Sequence, residues 1–246
     1  MNNSSDTATA KRVFREIRPD AANPAREWQS AEPVRFSGDW QGKNDNRASE
    51  TEVRALWSPE MLHVRFACHY LDLFVFEDSD PNGRRDRLWD RDVAEAFLQP
   101  PDSMAGAKES RAALGVTGED ARDSIISYEN VEKDFDAPYA SYKEFEVAPN
   151  GMWIDLDIIP GGRGNLKSGL TRLVQIDEKS KIWTAELAIP MKSLTSKFHP
   201  SASWRVNFYR VEGKAEPRKY LAWRPTMAPQ PNFHVPEKFG TLQFRE

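Results

Sequence analysis

The chain has 246 residues, 39% hydrophobic and 29% charged, with a formal net charge of −4 at pH 7. That length suits one large β domain or two small ones, and interspersed charge of slightly negative sum offers no basic field for nucleic acid or an anionic membrane. Cys68 is the only cysteine, which excludes an internal disulfide framework and a CxxC metal site, while eight tryptophans supply much rigid aromatic surface.

The opening "MNNSSDTATAKRVFREIRPD" has no apolar stretch of the signal-peptide kind. No window reaches the roughly 20 apolar residues of a membrane span. As written, the chain reads as cytoplasmic, or as secreted or periplasmic if its start is misassigned. Residues 1–22 read as a flexible segment with an apolar hook at Val13, Phe14 and Ile17, and 23–246 as one domain.

Period-two alternation then recurs, as in half-buried strands. In "TEVRALWS" Val53, Ala55 and Trp57 share a face; in "MLHVRFAC" Leu62, Val64, Phe66 and Cys68 do, with "SPE" as the hairpin turn between them. The apolar run "LDLFVFED" suits a strand buried on both faces. "DVAEAFLQP" follows, then a polar stretch over 101–137 that reads as an insertion. "YKEFEVAP" and "MWIDLDII" meet at Asn150-Gly151, a strong hairpin signal, and the glycine-rich "PGGRGN" reads as a loop. "KIWTAELAIP", "SWRVNFYRVE", "KYLAWRP" and "FGTLQF" bring the set to nine or ten strands, with "PMKSLTSKF" the best short helix. The whole predicts an all-β, single antiparallel β-sandwich of jelly-roll or immunoglobulin-like type with short helical insertions.

The ordered series "TEVRALWSPEMLHVRFACHYLD", "LWDRDVAEAFLQP", "YKEFEVAPNGMWIDLDI", "WTAELAIPMKSL", "WRVNFYRVEG" and "LAWRPTMAPQPNFHVPEKFGTLQF" resembles carbohydrate-binding module family 9 and the wider DOMON-like group of sugar-binding domains. The resemblance runs from about Trp28 to Phe244. It implies a β-sandwich that binds a mono- or oligosaccharide between two tryptophans and has no catalytic apparatus. Trp89, six residues before Glu95, matches the family's spacing of aromatic jaw and hydroxyl-binding acid. Glu95 is also in phase with Val93 and Phe97, so a strand would put an acid on an apolar face, where it needs a partner. An arginine pinning two strands would serve equally.

Trp223 is the candidate second jaw, followed by Arg224 and a loop stiffened by Pro225, Pro229, Pro231 and Pro236. The alternative is a core plug at a strand end. Asn207 and Arg205 are candidates for lining the site, Arg91 and Tyr220 weaker ones, and Asp92 suits a local turn. Trp28, Trp57, Trp153, Trp183 and Trp204 read as core. No cofactor is required. Some members of the group hold structural calcium, and Asp78, Asp80, Asn82 and Gly83 have the opening spacing of a calcium loop with Asp86 at a later ligand position, although Trp89 stands where its bidentate glutamate belongs. A solvated acidic turn is the other reading. His63 and His69 lack a third zinc ligand, and nothing marks Met61 or His63 as haem ligands. The expected partner is a sugar, with neither nucleic acid nor membrane, and a monomer is favoured. The alternatives are a glycoside-processing enzyme or accessory subunit, which needs a second carboxylate facing Glu95, and a haem-binding electron-transfer domain.

Overall fold

Alternating sequence gives alternating burial. In β4 (Met61–His69), Leu62, Val64, Phe66 and Cys68 are shut off from solvent while Arg65 and Ala67 are only partly covered, as the period-two pattern requires. The computed structural model describes residues 6–78, 80, 82–103, 140–160 and 162–246. Thirteen strands lie among them. Besides β4 these are β1 (Thr7–Arg12), β2 (Val34–Phe36), β3 (Thr51–Trp57), β5 (Val93–Gln99), β6 (Tyr142–Val147), β7 (Trp153–Ile159), β8 (Gly162–Asn165), β9 (Thr171–Asp177), β10 (Ile182–Pro190), β11 (Trp204–Glu212), β12 (Lys219–Ala222) and β13 (Gly240–Arg245). A single helical turn, Met191–Leu194, lies within the predicted "PMKSLTSKF".

The strands form one continuous curled sheet, ordered β8-β7-β6-β5-β11-β13-β1-β3-β4-β10-β9, with β12 beside β11 and β2 beside β3. The two halves close on a shared core. Val53, Phe66, Trp183 and Leu187 of β3, β4 and β10 lie in one cluster with Ala96, Phe145 and Phe208 of β5, β6 and β11, and Phe66 meets Phe208 edge-on at 6.0 Å. This is the predicted all-β sandwich. Both hairpins form where expected: β3 and β4 turn at Ser58–Met61, and β6 and β7 turn around Gly151, whose φ of +84° suits a residue without Cβ.

Three expectations need correction. The N-terminal segment is not loose from residue 7 on. Its strand β1 lies inside the sheet, parallel to both β13 and β3, so neighbours on both sides satisfy its backbone, and Val13 and Ile17 pack with Trp28 and Leu56. "LDLFVFED" is not a strand. It is a loop with Leu71 exposed and two of its apolar side chains serving as pegs: Leu73 meets the main core, and Phe76 lies under the guanidiniums of Arg85 and Arg91 at 3.5 and 4.6 Å. "PGGRGN" is not wholly loop either, because Gly162–Asn165 pairs with β7 as the edge strand β8. The insertion expected over 101–137 lies outside the described residues after its first three.

β5 and β11 each serve two cores. Ala94, Ala96 and Leu98 of β5, with Val206 and Phe208 of β11, face the main cluster; Val93 and Phe97, with Tyr209 and Val211, face a second cluster that includes Leu88, Tyr142, Ile154, Phe233 and Phe239. Glu95 is in phase with Val93 and Phe97 and so belongs to the second face. That face carries the candidate site.

Candidate functional site

Strand parity brings three acids together. Glu95 sits opposite Glu146 across the β5–β6 pairing, and Glu144 opposite Phe97. The carboxylates of Glu95, Glu144 and Glu146 lie within 4.8 Å of one another, and all three residues are buried. Glu95 and Glu144 open onto a cavity of about 280 Å³ whose walls include Trp89, Arg163, Arg218, Tyr220, Phe233 and His234.

Each wall residue has a local reason for its place. Trp89 lies in a 3₁₀ turn, Leu88–Asp90, entered through Arg87 at a φ of +55° and anchored by the buried Leu88. Its carbonyl accepts a hydrogen bond from Arg218 Nη1 at 2.7 Å, and the Arg163 guanidinium lies 4.3 Å from its ring centroid. The closing proline-rich loop contributes Phe233 and His234. Phe233 stacks on Tyr209 at 4.1 Å, and its carbonyl accepts the Tyr209 hydroxyl at 3.0 Å. His234 Nδ1 and the Tyr142 hydroxyl share a hydrogen bond of 2.6 Å.

Burial shifts the ionisation of the whole group. Loss of solvent raises Glu95 and Glu146 well above the ordinary carboxylate range, and neighbouring carboxylates raise both further; burial also raises Glu144. Arg218 pulls Glu95 the other way, and Arg163 does so for Glu144 and Glu146. Desolvation, then the charge of Arg163, lowers His234 to about 3, so the imidazole is neutral. Glu95 Oε1, Glu144 Oε2 and both oxygens of Glu146 find no donor in the surrounding protein. Glu144 and Glu146 lie close enough to share a proton.

A pH dependence follows with a definite sign. A carboxyl group whose folded pKa is raised costs stability as pH climbs above its unfolded value of about 4.5. In metal-free buffer the melting temperature of the unmodified chain should therefore fall relative to that of Glu146→Gln as pH climbs above about 4.5, while the gain as pH rises to 6.5, from burying His63 and His234 neutral, is common to both. Equal slopes for both proteins in calorimetric melts would contradict this.

Of the residues singled out from sequence, Trp89, Glu95 and Tyr220 meet at this cavity; Trp223 does not. Its ring is buried in the main core, tilted on Phe208 at 5.7 Å, and packs so closely that a Cβ on Gly240 would fall 2.8 Å from it. Trp223 is the plug, and the loop after it is the wall. Asn207 is fully buried and structural. Its Nδ2 donates to the Tyr209 hydroxyl at 2.7 Å and to the Arg224 carbonyl at 2.9 Å, while its Oδ1 accepts from Arg224 N at 3.0 Å. Arg205 donates to the Phe239 carbonyl at 3.2 Å, and the Arg224 side chain pairs with Asp6. Arg91 donates to the Lys214 carbonyl at 3.4 Å. Asp92 does not serve a local turn but ties two distant segments together, accepting from Phe74 N at 3.0 Å and Gly213 N at 2.6 Å.

The calcium-loop residues do not gather. Asp80 accepts from the backbone of Asn82 and Arg84 at 2.8 Å each, and Asp78 pairs with Arg85 at 3.5 Å. The Asn82 carbonyl takes the Trp153 and Arg172 side chains at 3.1 and 2.9 Å, and Asp86 is exposed. These oxygens brace a turn, and among the described residues Asp78, Asp80 and Asp86 form no group of acids within shared reach of one ion. Sequence reasoning missed Glu144, Glu146, Arg163, Arg218, Phe233 and His234. The first two had a signal, since in "YKEFEV" both acids share the parity of Tyr142.

The fold and cavity define a class: a β-sandwich with a pocket of aromatic rings and buried carboxylates on one face. The family resemblance is borne out. The model of carbohydrate-binding family 9 matches residues 168–244, just under a third of the chain, and this stretch carries β9 to β13 and the proline-rich wall. A protein of Bacteroides uniformis named for carbohydrate binding has the same fold over 97% of this chain and 99% of its own, at 16% identity and a TM-score of 0.64. A family 9 carbohydrate-binding module from Caldicellulosiruptor kristjanssonii, solved with cellotriose, is similar over 97% and 93% at 10% identity and a TM-score of 0.54. The same description, solved with glucose, gives 97%, 95%, 10% and 0.53. At these identities the likeness shows the fold. No curated protein sequence matches the chain.

Proposed function

We propose that this chain is a non-catalytic carbohydrate-binding protein whose sugar enters the cavity between Trp89, Tyr220 and Phe233. The observation that carries this is the meeting of Trp89 and Glu95, the pair singled out by the family resemblance, at one aromatic-walled cavity. A pyranose offers a C–H face to a ring and a rim of hydroxyls to carboxylates and guanidiniums, and this cavity holds both kinds of partner. The fit to family 9 and to modules solved with glucose and cellotriose supports the same ligand class. Tyr220, rather than Trp223, supplies the further aromatic surface.

Calorimetric titration with glucose and cello-oligosaccharides should give saturable heat. Trp89→Ala should weaken binding at least about thirtyfold, since a truncated aromatic anchor commonly costs about 2 kcal/mol or more. Absence of heat across a broad panel of mono- and oligosaccharides sinks this reading.

One observation favours a second reading. Glu144 gives Glu95 the neighbouring carboxylate that a glycoside hydrolase needs, with one oxygen of each inside 4.8 Å of the other, closer than the about 5–5.5 Å of a retaining pair. Their placement argues against it: both stand on adjacent strands of one wall, with an oxygen of each shut away from the cavity. Turnover of aryl glycosides that disappears in Glu95→Gln would overturn the non-catalytic reading.

A further inference from the structure

We propose that Glu95, Glu144 and Glu146 form a binding site for one hard divalent cation, of which calcium is the best fit, at the inner end of the cavity. The donor set is all oxygen, and its atoms lie within 4.8 Å of one another. Two ligands at calcium's 2.3–2.6 Å from one ion can be at most about 5 Å apart, so the three carboxylates can share an ion with little movement. An acidic cluster alone would not point to a cation. Here Glu146 lies fully buried behind the two acids that line the cavity, and neither of its oxygens has a donor.

Alternative partners are close but do not serve these atoms. Arg163 reaches the group from β8, and Arg218 from the loop before β12, yet neither donates to the four orphaned oxygens. The hydroxyls of Tyr142 and Tyr209 face the acids electrostatically but are committed to His234 and to Phe233. A proton shared by Glu144 and Glu146 leaves Glu95 Oε1 unserved. A single cation contacts all three acids at once and turns mutual repulsion into shared coordination. Water or a ligand's hydroxyls can complete its shell from the cavity side, because calcium takes six to eight oxygens. This inference shares Glu95 and Glu144 with the proposed sugar site but is argued from the acids alone and does not rest on the sugar reading.

The test uses the full chain after chelation and desalting, with no sugar present. Calcium chloride titrated into it should give a one-site calorimetric isotherm and raise the melting temperature. Glu146→Gln should weaken calcium at least about tenfold, as loss of a coordinating group does. It removes a buried like charge, so without calcium it should melt no lower than the unmodified chain, which separates lost binding from lost folding. Asp80→Asn, in the acidic turn, should bind calcium unchanged. No heat and no melting shift in the unmodified chain overturns the proposal whatever the variants do. So does undiminished binding by Glu146→Gln, or loss of binding in Asp80→Asn. Because sugar is absent throughout, failure here leaves carbohydrate binding untouched, and failure of the sugar titration leaves the cation result standing.

Discussion

Trp223→Ala should destabilise the protein by about 3–5 kcal/mol, the usual cost of emptying a buried tryptophan site. The ring is 3% exposed, lies in the main core and sits against Phe208. Its surroundings cannot easily collapse around the void. Trp223 N donates to the Phe208 carbonyl at 2.9 Å, fixing the chain on one side, and Asn207 clamps both backbone groups of the next residue, Arg224. On the other side Gly240 offers no side chain to move inward, and the Asp6 carbonyl lies 2.7 Å from where its Cβ would be. Urea denaturation would read the loss as a lower midpoint at unchanged slope. The comparison with Trp89 is the informative part. Trp89→Ala should lose binding with a much smaller change in midpoint, whereas Trp223→Phe should keep sugar affinity while losing stability. If Trp223→Phe abolished sugar binding in a folded protein, the assignment of Trp223 to the core would be wrong.

This contrast shows where sequence stops. Glu95 was legible because a strand imposes period two, and an acid in phase with Val93 and Phe97 must face a core. The hairpins were legible because Asn150-Gly151 and Ser58-Pro59-Glu60 are local chemistry. Glu144 and Glu146 obey the same parity rule and could have been found by it. Trp223 was not legible. A tryptophan at a strand end before proline looks the same whether its ring turns inward or outward, and the choice rests on Gly240, which only the β11–β13 pairing brings near. Arg163 and Arg218 were hidden for a related reason. Each sits in a segment that reads as loop, and each reaches the cavity through pairing or packing with distant strands. The apolar run Leu71–Phe76 misled because a few anchoring contacts, such as those of Leu73 and Phe76, need hydrophobic side chains without needing a hydrogen-bonded strand.

Glu212→Ala should cost about 3–5 kcal/mol, because it would leave Arg210 as an uncompensated buried charge. Arg210 is wholly buried on the main-core face of β11, beside Trp183. Its Nη2 donates to Glu212 at 2.7 Å; its other contacts, to Ser49 O and Thr51 Oγ1, are long at 3.4 Å, and its Nε has no acceptor. The pair therefore supplies the one short hydrogen bond to the guanidinium, with the buried Asp92 near enough to feel its charge. The reverse change is milder. With Arg210→Met the apolar chain fills the space, and Glu212 keeps Lys219 at 3.0 Å. The double variant Arg210→Met, Glu212→Ala should thus recover much of the stability lost in Glu212→Ala, giving a strongly non-additive cycle in urea denaturation. Additive losses would mean that the guanidinium finds other partners once Glu212 is gone. The same strand's other face presents Tyr209 and Val211 to the second core, and Tyr209 holds the Phe233 carbonyl of the cavity wall. If the buried pair fixes β11 in place, the rescued double variant should also recover the cavity, and its sugar affinity should match that of the unmodified chain even though no substituted residue lines the site.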